Sequence, residues 1–428
     1  MKKAFNVISA AMLGIGSMVG AGIFIVIGEA GSIAGNIVWL SFVVGGIAAL
    51  LSGYSLAKLA IKYPSRGGIV EYLVQSYDEG VFSGAMSVLF YFAQLIVIAA
   101  VAKSFGEYGA RLFGFDSNFI INLFAVSIVL FFTFINLVGA SIVAKSENII
   151  VAIKLSVLIL FTIIAFFSIK MDYLSLKEMP PINNMFFAIG LTFFAYQGFS
   201  VITNTVEDMQ TPSKNMLKAM FLAIGFVMLL YVATSIAVLG NLPLNEIIKS
   251  KDYALAEAAK PILGDIGFKV LAITALLATA SAINATLYAV TEIGYTLAKD
   301  GELPEIYEYS IFNSTEGLIV SSILIMPMVL FFNLGEITTV AALSVLFIQG
   351  IVHIGHLKLI KQTKANKILV FFAALSMFFI SAYTLYYNYL HDKNIILYMI
   401  ITFISVFIIE ALFRIITKRV VTKRCQKK

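Results

Sequence analysis

The 428 residues predict an all-α integral membrane protein of twelve transmembrane helices, built as a five-plus-five inverted repeat with two further helices at the C-terminal end. Three observations predict it. Hydrophobic residues make up 60% of the chain and charged residues only 13%, a composition of membrane proteins. Run after run of about 20 residues carries no charge, the length that a bilayer's hydrocarbon core requires. Two of these runs, the first and the sixth, are interrupted by glycine at mid-depth. The sixth lies five positions after the first, an odd number, so they enter the membrane from opposite sides, as corresponding members of an inverted repeat do.

The spans read as 7–30, 36–57, 80–111, 118–138, 141–169, 182–206, 215–240, 267–298, 317–333, 335–357, 367–389 and 394–416. Residues 1–169 then form the first repeat, 182–357 the second, 367–416 the two additional helices, and 417–428 a basic tail. Both termini share one side, and that side collects 20 of the 30 Lys and Arg residues, against eight opposite and two, Lys103 and Lys154, within spans. The positive-inside rule places the termini in the cytoplasm of a multi-pass cell-membrane protein. "KRVVTKRCQKK" reads as a positive-inside anchor for the last span rather than a nucleic-acid patch. The lone Cys425 within it forms no internal disulfide. "MKK" before an apolar run is a signal-peptide beginning, but the run is long and has no small-residue cleavage site, so it is kept as the first span.

Enzyme chemistry has no foothold. There is no HExxH, no GxxxxGK[ST] and no GxSxG, and "GIGSMVG" has neither the spacing nor the preceding strand of a dinucleotide fingerprint. His353 and His356 share a helix face, but two ligands without a nearby carboxylate make a poor metal site, so a structural role is expected. No enzyme activity, cofactor, metal or nucleic-acid partner is expected.

The first span contains "GSMVGAGIF", residues 16–24. Gly16 and Gly20 form GxxxG, which brings helices close. With Gly22 they also suit an unwound hinge, whose bare amides and carbonyls hold a polar solute. The sixth span, centred on "FAYQGFS" (194–200), repeats the feature and strengthens the second reading. In such a pair, amides at the start of a half-helix suit a carboxylate, and carbonyls at the end of one suit an ammonium group. A zwitterion fits both.

Lys103 and Glu107 in the outer part of the third span, and Glu292 and Glu410 at inner ends, can snorkel. Lys154 cannot. It is the fourteenth residue of a span that begins near 141, roughly 20 Å deep at 1.5 Å per residue. A lysine there costs about 3 kcal/mol on insertion scales, so a partner or a function is expected. It reads as a proton carrier or as a structural cation on the carbonyls of the first break. On the eighth span, Ser281 and Asn284 lie three apart on an otherwise apolar helix, available to hydrogen-bond another helix or to complete a shared site.

At this point "GSMVGAGIF", "PSRGGIVEYL", "FAYQGFS", "EDMQTPSKNMLKAM" and "LAKDGELP", taken in order, resemble the amino acid, polyamine and organocation permeases. "GFSVITN", "GNLPLNEIIK", "ALAEAAKPILG", "SAINATLY", "KDGELPE" and "STEGL" resemble the archaeal proton-coupled, broad-specificity amino acid transporters of that superfamily. The resemblance implies the LeuT-like fold of sodium-coupled amino acid transporters, with the Lys154 amine where those relatives bind an ion. It implies that the backbone around Ser17, Gly20, Ala21 and Gly22 holds a substrate carboxylate, and that carbonyls near Phe194, Ala195 and Gly198 hold its ammonium group. Lys154 is expected to approach the Gly16 carbonyl and the Ser281 hydroxyl, with Asn284 nearby. Gln197 departs from an apolar position in those relatives and bears on side-chain preference. The function so implied is proton-coupled import of amino acids, with protons and the lipid bilayer as the other partners and a monomer as the working unit. Substrate exchange on the same fold, and an amino acid receptor without flux, are the alternatives.

Overall fold

The computed structural model describes residues 5–65, 68–138, 141–175, 180–299, 302–312 and 314–417; the basic tail and Arg66 fall outside the described residues. Nearly everything described is helix, as the long apolar runs require, since only internal hydrogen bonding satisfies a backbone in lipid. In chain order the helices are α1 (Val7–Ala34), α2 (Val38–Lys62), α3 (Ile69–Tyr77), α4 (Val81–Leu112), α5 (Asn118–Val138), α6 (Ser141–Phe166), α7 (Ile182–Ala195), α8 (Pro212–Asn241), α9 (Leu244–Lys249), α10 (Ala254–Glu257), α11 (Lys260–Lys299), α12 (Glu316–Phe331), α13 (Leu334–Lys358), α14 (Ile360–Thr363), α15 (Lys367–His391) and α16 (Lys393–Thr417). A two-residue hairpin, β1 (Ser310–Ile311) with β2 (Ser314–Thr315), separates α11 from α12.

Local chemistry sets several boundaries. Asn6 begins α1 with a reciprocal cap, accepting from the Ser9 amide at 2.8 Å while Ser9 Oγ accepts from the Asn6 amide at 2.9 Å. Gly35 ends the same helix at φ +56°, a backbone region that favours glycine. Asn333 and Glu336 form the same reciprocal cap on α13.

Among the described residues, ten helical stretches are long and apolar enough to cross a membrane. Val7–Gly20 and Glu316–Phe331 are shorter apolar helices, the first of them continuous with the rest of α1. The chain is thus a multi-pass membrane protein. At 16 residues, α12 is about 24 Å long, less than the roughly 30 Å hydrocarbon core.

α1 lies at the centre, packed against α7, α8 and α11 and touching α6. α16 is at the edge, where Leu397, Ile400, Ile404, Ile408 and Leu412 are each at least half exposed. On a membrane helix such a face meets lipid.

The two expected interruptions differ. The sixth span changes character where "FAYQGFS" lies: α7 stops at Ala195, and a 3-10 helix runs over Gln197–Thr205. The first span is not interrupted, since α1 is one α-helix from Val7 to Ala34. The expectation of a mid-membrane break in the first helix is therefore corrected. Its glycines serve the other reading, close approach of neighbours.

Candidate functional site

Each glycine of the 16–22 stretch faces a different neighbour. A Cβ on Gly16 would stand 2.8 Å from a Val151 methyl of α6, and one on Gly20 would stand 3.1 Å from the Ala282 methyl of α11. On Gly22 it would meet the Ala195 carbonyl oxygen at 2.4 Å. Across that contact, a Cβ on Gly198 would stand 2.4 Å from both the carbonyl carbon of Ser17 and the amide of Met18. Ser17, Gly22, Ala195 and Gly198 are thus brought together, with backbones touching, while Gly20 faces α11 and the Lys154 amine. Phe194 is buried beside them. The backbone of Ala21 continues the helix, and its side chain lies outside the described residues.

Three carbonyls along this part of α1 accept from side chains of three other helices. Lys154 Nζ of α6 donates to the Gly16 carbonyl at 2.8 Å, Tyr231 Oη of α8 to that of Met18 at 2.7 Å, and Tyr108 Oη of α4 to that of Phe24 at 2.8 Å. Tyr231 also reaches the Ala195 carbonyl at 3.3 Å, where α7 ends and its last carbonyls need donors. Tyr196, the residue at the switch, donates from Oη to the Phe42 carbonyl at 2.8 Å.

Lys154 is 1% exposed, and its Nζ would lie 3.8 Å from a Cβ on Gly20. The amine therefore sits between α6, α1 and α11. Its expected approach to Ser281 takes another form: Ser281 Oγ donates to Glu147 Oε1 at 2.6 Å. Glu147 precedes Lys154 by seven residues, two turns along the same face, and is the carboxylate whose field reaches the amine. Asn284 accepts from Asn136 Nδ2 of α5 at 2.9 Å, so it ties α11 to α5. Gln197 begins the 3-10 segment, and its Oε1 accepts from Gln349 of α13.

Sequence reasoning missed Glu147, Tyr108 and Tyr231. Glu147 carried a signal, a carboxylate seven residues before the buried lysine. Tyr108 and Tyr231 carried none, since a tyrosine in an apolar helix reads as core.

Both ends of α1 are held. At one end, the Phe5 amide donates to the Asp208 carbonyl at 3.1 Å, and the Gln210 amide donates to the Phe5 carbonyl at 2.8 Å. At the other, the buried Glu29 carboxylate pairs with Lys251 at 3.1 Å, and a Cβ on Gly28 would overlap the Lys251 carbonyl. Burial works against the Lys251 charge, but Glu29 and Asp252 outweigh it and hold the ammonium group above its ordinary pKa.

Residues 5–422 match the amino acid permease family model. The chain is similar to the uncharacterized protein MJ0609 of Methanocaldococcus jannaschii, at 36% identity over 97% of each chain. It is similar to the inner membrane transport protein YbaT of Escherichia coli, at 38% identity over 80% of each chain. It is also similar to the serine/threonine exchanger SteT of Bacillus subtilis, at 26% identity over 71% of this chain and 70% of the other.

Proposed function

Since the chain belongs to the amino acid permease family, we propose that it is a secondary active transporter that imports amino acids with broad specificity by proton symport, with Lys154 as the coupling group. The observation that carries this is the buried Lys154 amine on the Gly16 carbonyl, between α1, α6 and α11. A protonated amine makes the stronger, charge-assisted bond, so proton binding tightens α1 against α6. Proton loss weakens that bond and frees α1 to move. The backbone of Ser17–Gly22 and the α7-to-3-10 switch at Phe194–Gly198 are the elements that part to admit a zwitterion. In this reading the helices form twelve spans, five plus five as an inverted repeat and two more, in the cell membrane with both termini cytoplasmic. Lysines at the ends of α2, α13 and α14 support that orientation.

Exchange is the second reading, favoured by the likeness to a protein named as an exchanger. One experiment separates the two. Purified protein in liposomes is given labelled alanine or glutamate with and without an inward proton gradient, as wild type and as Lys154→Ala. Accumulation driven by the gradient and lost in Lys154→Ala is the expected result. Uptake that ignores the gradient but requires internal amino acid makes the protein an exchanger and Lys154 a structural cation.

A further inference from the structure

A line of polar side chains runs from the sixth segment to the lysine-rich end of α13. Gln349, His353 and His356 share one face of α13, four and then three residues apart. Ser52 and Ser55 of α2 stand opposite, and Thr363 of α14 completes the line. Ser52, Ser55, Gln349, His353 and His356 are fully buried.

Starting from the sixth segment, Gln349 Nε2 donates to Gln197 Oε1 at 3.3 Å, and Ser52 Oγ donates to Gln349 Oε1 at 2.8 Å. His353 bridges the serines, with Nε2 2.9 Å from Ser52 Oγ and Nδ1 2.9 Å from Ser55 Oγ. Ser55 Oγ lies 2.7 Å from His356 Nδ1, and His356 Nε2 lies 2.9 Å from Thr363 Oγ1.

A serine hydroxyl has one proton to give. Ser52 gives its proton to Gln349, so in its contact with His353 it accepts, and His353 Nε2 carries a proton. That holds for the neutral ring with its proton on Nε2 and for the doubly protonated ring. Gln349 accepts from Ser52 on its oxygen and turns its NH2 group to Gln197. Gln197 answers with its own oxygen, and its own NH2 group is left over. That Nε2 is buried and has no hydrogen-bond partner. Buried donors without partners are rare and call for an explanation. This one belongs to the residue that opens the 3-10 segment, immediately before Gly198, whose backbone touches Ser17 and Met18.

We propose that Gln197 is a specificity-determining residue, its amide held with the NH2 group free by the line through Gln349, Ser52 and His353, and that it selects amino acids whose side chains carry a hydrogen-bond acceptor. Hydroxyl, carboxamide and carboxylate side chains satisfy the free donor; an aliphatic side chain leaves it unsatisfied. The inference rests on the transport reading above and adds the substrate class. Ser52 and His353 are positioning residues, because they reach the site only through Gln349.

Threonine and valine have the same shape and differ by a hydroxyl in place of a methyl, so their uptake ratio in proteoliposomes tests the assignment. Wild type is expected to favour threonine by about tenfold, the discrimination of one good hydrogen bond. Gln197→Leu should remove that preference. Ser52→Ala should lower the ratio while Ser52→Thr, which keeps the hydroxyl, retains it; a mere tie between α2 and α13 would leave selectivity unmoved. The chain has three histidines, so nitrogen spectra of ¹⁵N-histidine protein resolve His353, and a proton on its Nε2 is expected. A ratio unchanged in Gln197→Leu, or a bare Nε2 on His353, overturns the selectivity assignment alone. Uptake of alanine or glutamate with no preference for threonine over valine also overturns the selectivity assignment alone; if wild type takes up none of the four, the transport reading falls and this one with it.

Discussion

Two glycine-bearing stretches meet at the centre of the molecule, and only one abandons the α-helix. In residues 16–24 of α1 the glycines are spaced so that α6, α11 and α7 each approach from a different side, and the helix continues beneath them. In residues 194–200 the α-helix ends at Ala195, a tighter helix follows, and the freed carbonyl of Ala195 is taken by Tyr231. The difference teaches that glycine in a membrane helix marks where another backbone comes near. A ready donor does not by itself change the helix type, since the Tyr231 hydroxyl serves the Met18 carbonyl of the intact helix as well as the Ala195 carbonyl at the switch.

The contrast can be broken most severely at Gly22. A methyl there meets the Ala195 carbonyl, which is backbone and cannot rotate away. Gly22→Ala should abolish transport and cost about 3 kcal/mol, at the upper end of overpacking penalties, read as uptake and as melting temperature in detergent. Tyr231→Phe should come next. It removes the donor shared by the Met18 and Ala195 carbonyls, a loss of about 2 kcal/mol, and uptake should fall about tenfold while the fold survives. Gly16→Ala should be the mildest, because it meets only the Val151 side chain, which can adjust. It should cost about 1 kcal/mol, and the double variant with Val151→Ala should recover most of that. A Gly16→Ala effect as large as that of Gly22→Ala would mean that α1 does unwind at its glycines.

The helices and the switch at "FAYQGFS" were legible because apolar length and an aromatic-flanked glycine are local signals. That Lys154 needs a partner was legible by counting residues from the start of its span, and the amine is buried with its bond to the Gly16 carbonyl present. The continuity of α1 was not legible, since the same three glycines permit a packed helix and an unwound one, and their spacing does not decide between the two. The turn of Ser281 toward Glu147 depends on side-chain reach across two helices, which no spacing encodes. Glu29 and Lys251 are 222 residues apart, and neither position announces the other.

An unbroken α1 has a mechanical consequence. Its 28 residues make a rod about 42 Å long, gripped near Phe5, at Gly16 and at Glu29. Gly16 divides it unequally, with about 14 Å of helix toward Val7 and about 27 Å toward Ala34 at 1.5 Å per residue. Pivoting about the lysine contact moves the two ends in opposite directions and roughly doubles at the far end any displacement made at the near one. A 2 Å displacement at the Val7 end becomes about 4 Å at the Ala34 end, so that a pivoting α1 would act as a rocker arm.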